Sequence, residues 1–192
     1  MRLDHQIIKE LIVAHSSVLD LGCGDGELLS LLIKEKQAQG QGIEIDGQEI
    51  YKCVEKGLNI IHGDIDSGLH EYRDKSFDYI ILNQSLQQVK NFDEVFTDAL
   101  RVGKHVVAGL PNFAYYQARI QLAIRGKAPV TKSLPYSWYN SPNVHFFSLN
   151  DFKDYCREKH IIIESNVCLD SRRRISFLPN LFAQVGIFLV HK

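Results

Sequence analysis

The chain has no excess charge of either sign and no long apolar run. Its 192 residues carry 22 Lys and Arg against 23 Asp and Glu, which gives a formal net charge of -1 at pH 7. This balance supplies no basic field that would hold a polyanion, so we expect no nucleic-acid partner. The longest apolar stretches, such as residues 187–190, are far shorter than the roughly 20 residues that span a bilayer, and no lipidation motif is visible. We therefore expect no membrane role.

Signatures of metal binding and of secretion are also missing. The 4 cysteines form no C-x-x-C pair, and the histidines show no H-x-x-x-H spacing, so we predict no metal site. The first residues, MRLDHQIIKELIV, mix charges among the apolar positions and lack the continuous apolar core of a secretory signal. We expect a cytoplasmic protein whose cysteines are reduced and buried. Several histidines are interpreted as surface or element-end residues: His5, His15, His70, His160 and His191.

An alternation of two hydrophobic patterns is the main feature that is present. Hydrophobic residues make up 45% of the chain and charged residues 23%, which is typical of soluble globular domains. Through residue 110, apolar β-rich runs alternate with amphipathic helical ones, and this alternation predicts βαβ units with a parallel sheet. The predicted elements are strands at 17–21, 41–45, 58–62, 77–83, 105–110, 161–168 and 183–191, and helices at 27–36, 47–56, 93–102 and from Ser148 onward. Ser148 and Asp151, three residues apart, have the spacing of an acidic capping box at the start of the last helix.

The pattern changes in the second half of the chain. Prolines and aromatic residues are spread through residues 110–147, which predicts a lid-like insertion after the fifth strand. The last two strands are separated by too few residues for a crossover helix, so we expect them to be antiparallel neighbours. The sequence therefore predicts one α/β domain over residues 1–192, with a doubly wound, mostly parallel sheet that has an antiparallel strand near one edge.

A glycine-rich turn joins the first predicted strand to the first predicted helix in the stretch DLGCGDGE. Gly22, Gly24 and Gly26 lack a Cβ atom, so a ligand can approach main-chain N–H groups at the helix N-terminus. The dinucleotide fingerprint G-x-G-x-x-G would require glycine where this chain has Glu27, which disfavours a nicotinamide oxidoreductase. The candidate ligand-binding residues in and beside this turn are Asp20, Gly22, Cys23, Gly24 and Gly26.

Asp20 lies at the end of a buried strand, where a purely structural role would favour Val or Ile. A carboxylate in that position needs a cation or an N–H donor. The segment DLGCGDG resembles the first motif of class I S-adenosylmethionine-dependent methyltransferases, whose ligand carries an ammonium group. The resemblance implies a Rossmann-like fold with seven strands. The alternative is a glycine turn that only connects strand to helix, with Asp20 as its cap.

Two further acidic positions follow the next strands. In nucleotide-binding α/β folds, an acid at the position of Glu44 chelates the ribose hydroxyls, with Ile45 next to it. The alternative for Glu44 is a solvated strand end. The resemblance implies that Asp64 accepts a hydrogen bond from the adenine amino group and that Ile65 packs on the ring, unless Asp64 only forms a turn.

The segment after the fourth strand narrows the substrate class. The resemblance implies that Asn83, Gln84 and Ser85 face the adenosine and methyl end of the ligand. The N-P-P-Y turn of enzymes that methylate exocyclic base amines is absent. The pair at 87–88 is Gln-Gln where many small-molecule methyltransferases have histidines, and glutamine cannot shuttle a proton.

Several segments resemble one particular family. LPNF at 110–113, PVTK at 129–132, LPYSWYNSPNVH at 134–145 and LPNL at 178–181 are similar to the MetW family of methionine-biosynthesis proteins. The resemblance implies S-adenosylmethionine or S-adenosylhomocysteine as the ligand and a homoserine O-acetyltransferase-type enzyme as the partner. It does not supply a methyl acceptor.

Two functions therefore remain open. In the first, the protein binds S-adenosylmethionine or its product and acts with the homoserine acyltransferase. In the second, it is an active methyltransferase on an unidentified small molecule. The catalytic residues are unknown, and the candidates that would face a substrate are Tyr136, Tyr139 and His145 in the insertion. The alternative is that the rings of these residues only pack a surface loop onto the sheet.

Overall fold

The computed structural model describes residues 2–192, and its strands form one seven-stranded sheet. The strands are β1 (Ser17–Leu21), β2 (Gln39–Glu44), β3 (Ile60–His62), β4 (Phe77–Asn83), β5 (Gly103–Pro111), β6 (Ile162–Leu169) and β7 (Val185–His191). Their order across the sheet is β3-β2-β1-β4-β5-β7-β6. Strand β7 is antiparallel to both of its neighbours, and the remaining pairs are parallel. The predicted sheet and its antiparallel strand are thus confirmed.

Helices cover both faces of this sheet. They are α1 (Leu3–Leu11), α2 (Glu27–Lys36), α3 (Gly47–Glu55), α4 (Phe92–Val102), α5 (Tyr116–Arg125), α6 (Leu149–Glu158) and α7 (Pro179–Phe182), with a 3-10 turn at Ile65–Ser67. The sequence predicted α2, α3, α4 and α6, whereas α1, α5 and α7 were not predicted. Ser148 and Asp151 form the expected capping box of α6, and Asp46 caps α3 by accepting from the Gln48 N–H at 2.8 Å.

Successive side chains of the central strands alternate between two hydrophobic layers, one on each face of the sheet. Leu19 and Ile80 point into the layer that contains Phe96 of α4, whereas Val18 and Ile81 point into the layer that contains Ile8 of α1. Successive residues of a strand face opposite sides of a sheet, so each central strand contributes to both layers. The 4 cysteines of the chain are all buried without disulfide bonds, as expected. In residues 2–192, no helix is both long and apolar enough to cross a membrane.

The order of the strands positions the site. From β1, the chain continues outward to β2 and β3 on one side, and then returns to β4 on the other. In open α/β sheets, ligands bind at such a reversal, outside the carboxyl ends of the strands. The glycine turn after β1 and Asn83 at the end of β4 flank this crevice.

Backbone hydrogen bonds join the end of the insertion to the loop after β4. It follows β5, includes α5 and is otherwise largely irregular up to α6. The N–H groups of Val144 and His145 both donate to the Gln87 carbonyl, at 2.8 and 3.0 Å. The insertion therefore ends close to the β4 side of the crevice.

Candidate functional site

The glycine turn is fixed against the neighbouring strand and open on its other side. The Gly22 N–H donates to the Ile43 carbonyl at 2.8 Å. A Cβ atom at Gly22 would lie 2.9 Å from the Ser85 Cβ, so this position packs too closely for a side chain. Gly24 has a φ of +54°, yet a Cβ atom there would meet no described atom within 4 Å. The Gly24 backbone therefore borders open space that a ligand can enter.

Glu44 braces this turn. Its Oε2 atom accepts from the Gly24 N–H at 2.7 Å, and its Oε1 atom accepts from the N–H groups of Ile45 and Asp46 at 2.9 and 3.0 Å. A carboxylate offers about four acceptor positions, so most of them are already used by the backbone. Chelation of two ribose hydroxyls would then require shared hydrogen bonds. The sequence indicated a ligand-binding acid here but not this bracing role.

Asp20 is the least compensated acid of the site. It is 2% exposed at the end of β1, between β2 and β4 in the sheet. Burial and the negative charge of Glu44 raise the pKa of Asp20 from 3.8 to about 7. No cation and no hydrogen bond from the described residues offsets this rise. A positive group placed next to Asp20 would lower the energy of its ionised form.

Helix α1 closes the crevice, which the sequence analysis did not predict. A cavity of about 220 Å³ is lined by Arg2 and His5 together with Asp20, the glycine turn and Asn83. The spacing of the apolar residues in α1, of which Ile7 and Ile8 are buried, could have indicated an amphipathic helix. The position of its polar residues over the cavity depends on tertiary packing, which the local sequence does not show.

His5 lies in the first turn of α1, as an element-end residue, but its interpretation as a surface residue was wrong. His5 is 4% exposed, and its Nδ1 atom has no hydrogen-bond partner among residues 2–192. The Oε2 atom of Glu27 lies 3.7 Å from His5 Nδ1. Burial is the main cause that lowers the pKa of His5. The residue is therefore a neutral, buried polar group that lines the cavity.

Polar side chains join α1 to the end of β4. Asp4 Oδ2 accepts from Arg2 Nη2 at 2.6 Å, from Asn83 Nδ2 at 3.2 Å and from Gln84 Nε2 at 3.1 Å. Asn83 Oδ1 and Ser85 Oγ are buried, and neither has a partner in the described part of the chain. Asn83 lines the cavity, whereas Gln84 contacts α1 and Ser85 lies beneath the glycine turn.

The predicted adenine-binding residues lie along an open edge. Ile45 is 59% exposed beside Glu44, and Ile65 is half-buried. Asp64 is exposed, and its Oδ1 atom caps the 3-10 turn by accepting from the Asp66 N–H at 2.9 Å. The turn-forming interpretation of Asp64 therefore holds in this structure, and its other carboxylate oxygen is the one available to a ligand.

The three candidate substrate-facing residues are not brought together. Tyr136 lines an apolar cavity of about 400 Å³ within the insertion, and His145 lines a different cavity, of about 240 Å³, where its ring lies 6.0 Å from that of Phe92. Tyr139 is 73% exposed. None of the three lines the cavity at Asp20.

The raised pKa of Asp20 predicts a stability difference that depends on pH. Between about pH 4 and pH 7, the folded protein keeps a proton that the unfolded chain has released, so the free energy of unfolding falls as the pH rises. Asp20→Asn removes the titrating carboxyl group and with it this pH-dependent loss of stability. We expect the variant to exceed the wild type by on the order of 2 kcal/mol at pH 8 and by much less at pH 4, in urea unfolding of the ligand-free protein.

Asp25→Asn is the matched control in the same turn. The Asp25 side chain is 45% exposed and pairs with Lys56, with Nζ and Oδ2 3.0 Å apart. Its loss should not increase stability at pH 8. The interpretation of Asp20 fails if Asp20→Asn is no more stable than the wild type at pH 8, or if its gain is as large at pH 4.

Solved structures show the same fold. An S-adenosylmethionine-dependent methyltransferase from Mesorhizobium loti is 15% identical with a TM-score of 0.70, and the match covers 97% of this chain and 96% of that one. A TehB-like S-adenosylmethionine-dependent methyltransferase from Corynebacterium glutamicum is 14% identical with a TM-score of 0.65 and coverage of 98% and 86%. The [4+2]-cyclase SpnF is 15% identical with a TM-score of 0.69 and coverage of 98% and 80%. These likenesses establish the class I methyltransferase fold.

Sequence comparison identifies the family. A bifunctional methionine biosynthesis protein MetXA/MetW from Rhodopirellula baltica is 33% identical over 205 residues, which cover 100% of this chain and 33% of that protein. The chain thus spans about a third of the length of this curated relative. The family model described as methionine biosynthesis protein MetW matches residues 2–190. Because that match covers nearly the whole chain, the protein belongs to the MetW family.

Proposed function

We propose that the protein binds S-adenosylmethionine or S-adenosylhomocysteine in the crevice under α1. The observation that carries this proposal is Asp20, a buried acid that lines this cavity and has no ion pair or side-chain hydrogen bond with the described residues. A buried carboxylate is stable in its charged form only when it is paired. The amino-acid end of both ligands carries an ammonium group, which fits this requirement.

The other residues of the crevice fit the rest of the ligand. The Gly24 backbone borders open space, and Arg2 supplies a cation for the ligand carboxylate in the same cavity. The cavity of about 220 Å³ is smaller than the roughly 300–1,000 Å³ typical of ligand pockets. We infer that it encloses the amino-acid end, while the adenosine lies along the open edge beside Glu44 and Ile45. When bound, S-adenosylmethionine supplies a methyl group on an activated sulfonium.

The role that we propose is in methionine biosynthesis, in the cytoplasm, with a homoserine O-acyltransferase as partner. The family match and a relative whose name joins MetXA and MetW in one chain support the pathway and the partner. Four buried free thiols are consistent with a reducing compartment. We place the partner on the insertion surface, defined as Tyr136, Trp138 and Tyr139, which are 47%, 79% and 73% exposed. Clustered exposed aromatic side chains are typical of protein interfaces.

Methyl transfer to a small polar molecule is a second candidate, which one cavity favours. This cavity of about 310 Å³ shares Arg2 with the first one and is also lined by Asp4, Gln84, Lys132 and Gln184. An acceptor there would lie next to the proposed ligand site. Such transfer depends on alignment more than on a strong base. Formation of S-adenosylhomocysteine with the small-molecule fraction of a cell extract would favour this candidate, and binding without turnover would favour the first.

Calorimetric titration with S-adenosylmethionine and S-adenosylhomocysteine tests the ligand. Glu44→Gln keeps an acceptor for the Gly24 N–H but removes the charge, and Asp20→Asn removes the partner of the ammonium. Since each change costs a charge-assisted hydrogen bond, we expect each to weaken both ligands about 10–100-fold.

The matched control for Glu44→Gln is Glu49→Gln. Glu49 lies on α3 and pairs with Lys52, with Oε1 and Nζ 2.6 Å apart. This change should leave both affinities unaltered. Absence of binding to folded wild-type protein, or equal weakening by Glu44→Gln and Glu49→Gln, would contradict the proposed ligand site.

Affinity measurement with the homoserine O-acetyltransferase of the same organism tests the partner and its surface. Truncation of a central aromatic anchor typically costs 2 kcal/mol or more, so we expect Trp138→Ala and Tyr139→Ala each to weaken the complex more than about tenfold. Tyr51→Ala is the matched control, because Tyr51 is 70% exposed on α3. Lack of a complex would refute the partner, and an equal effect of Tyr51→Ala would refute the surface.

A further inference from the structure

Two histidines and a glutamate converge at the other end of the sheet. His105 Nδ1 lies 2.7 Å from Glu164 Oε1, and His191 Nδ1 lies 2.6 Å from the same oxygen. One ligand atom from each residue lies within 4.8 Å of the other two. The side chains are 36%, 31% and 32% exposed for His105, Glu164 and His191, so they are accessible from solvent but not freely extended.

Strand register explains how residues far apart in sequence meet. His105 and His191 lie one position beyond the Val106–Val190 pair of the antiparallel strands β5 and β7. They therefore point to the same side of the sheet. The His105 ring also stacks on Tyr79 of β4, with centroids 5.3 Å apart and an interplanar angle of 26°, which restricts its orientation.

The Glu164 carboxylate lies at a β-bulge in β6. The register shifts between Ile163, which pairs with Val190, and Ser165, which pairs with Leu189, so Glu164 is the additional residue. The bulge changes the face of the strand: Ile163 packs against the layer of α4, whereas Val167 packs against the layer of α1. Bulges commonly redirect a side chain. Glu164 directly follows Ile163, so alternation along the strand directs it to the opposite face, which is that of the two histidines.

We propose that His105, Glu164 and His191 form a binding site for a divalent transition-metal ion, of which zinc is the best fit. Two imidazoles and one carboxylate are a donor set that Zn²⁺ accepts, and the remaining coordination position would be open to water or a substrate oxygen. Ligand atoms around a tetrahedral zinc with bonds of about 2.0–2.1 Å lie roughly 3.3 Å apart. The two histidine–glutamate contacts, at 2.7 and 2.6 Å, would each have to lengthen by about 0.6–0.7 Å to reach this spacing.

The site is separate from the proposed ligand crevice. Asp20 lies at the carboxyl end of β1, whereas His105 lies near the amino end of β5, which runs in the same direction in the sheet. A bound ion would link β5, β6 and β7, including both antiparallel pairs. Its primary effect would be to stabilise this edge of the sheet, and a metal-bound water would be exposed to solvent. The sequence analysis predicted no metal site because the ligands come from three strands without any local spacing pattern.

Titration of the metal-free protein with ZnCl₂, followed by calorimetry, tests this site, and Co²⁺ absorption reports the ligand geometry. We expect one saturable site with a visible Co²⁺ band of tetrahedral type, and thermal unfolding shifted upward by Zn²⁺. His191→Ala and Glu164→Gln should each weaken Zn²⁺ binding at least tenfold. Glu164→Gln is nearly isosteric, so circular dichroism of this variant keeps the test independent of folding.

His70→Ala is the matched control. Within residues 2–192, His70 has one carboxylate within ion-pair distance, with Nδ1 3.9 Å from Asp98 Oδ2. We expect its Zn²⁺ affinity to equal that of the wild type. The proposal is overturned if the wild type shows no saturable Zn²⁺ binding, or if neither His191→Ala nor Glu164→Gln weakens that binding. It is likewise overturned if His70→Ala weakens Zn²⁺ binding as much as these two variants do. It is also overturned if the cluster variants lower stability by the same amount with a chelator as with Zn²⁺, because the cluster would then act only through its hydrogen bonds.

Discussion

Two acids at the carboxyl ends of neighbouring parallel strands determine the electrostatics of the ligand crevice. Three backbone N–H groups fix Glu44 at the turn, so its charge cannot move away from Asp20. Asp20 is buried, and the free-energy cost of ionising it, first from burial and then from the Glu44 charge, appears as its raised pKa. A cation between the glycine turn and α1 would relieve that cost. The fold thus holds an acid in place whose ionisation a cationic ligand favours.

Helix α1 completes this arrangement. Asp4 connects Arg2 of the N-terminal segment to Asn83 and Gln84 at the end of β4, and these contacts hold the helix over the cavity. The proposed ligand rests on the site and not on the fold alone, since the [4+2]-cyclase SpnF shares this fold. The unpaired carboxyl group of Asp20 and the guanidinium of Arg2 in the same cavity are the features that favour the proposed ligand.

Local sequence signals predicted the parts of the structure that depend on local chemistry. The strand, glycine turn and helix around Gly24 were predicted because their residues are contiguous, and the capping box at Ser148 was predicted from its spacing. The roles of His5 and Glu164 were not, because tertiary packing brings His5 to the cavity and the pairing of three strands brings Glu164 to the two histidines. Tyr136 and His145 are close in sequence but line different cavities, since the irregular insertion gives no periodicity from which their directions could be derived.

Proton release on binding S-adenosylmethionine tests the central claim most directly. If the ligand ammonium pairs with Asp20, then binding must ionise a carboxyl group whose pKa is about 7 in the free protein. Calorimetry at pH 6.5 in buffers of different ionisation enthalpy should therefore show release of most of one proton, and Asp20→Asn should abolish it. Binding of undiminished affinity without proton release would contradict the account, because Asp20 would then play no part in holding the ligand.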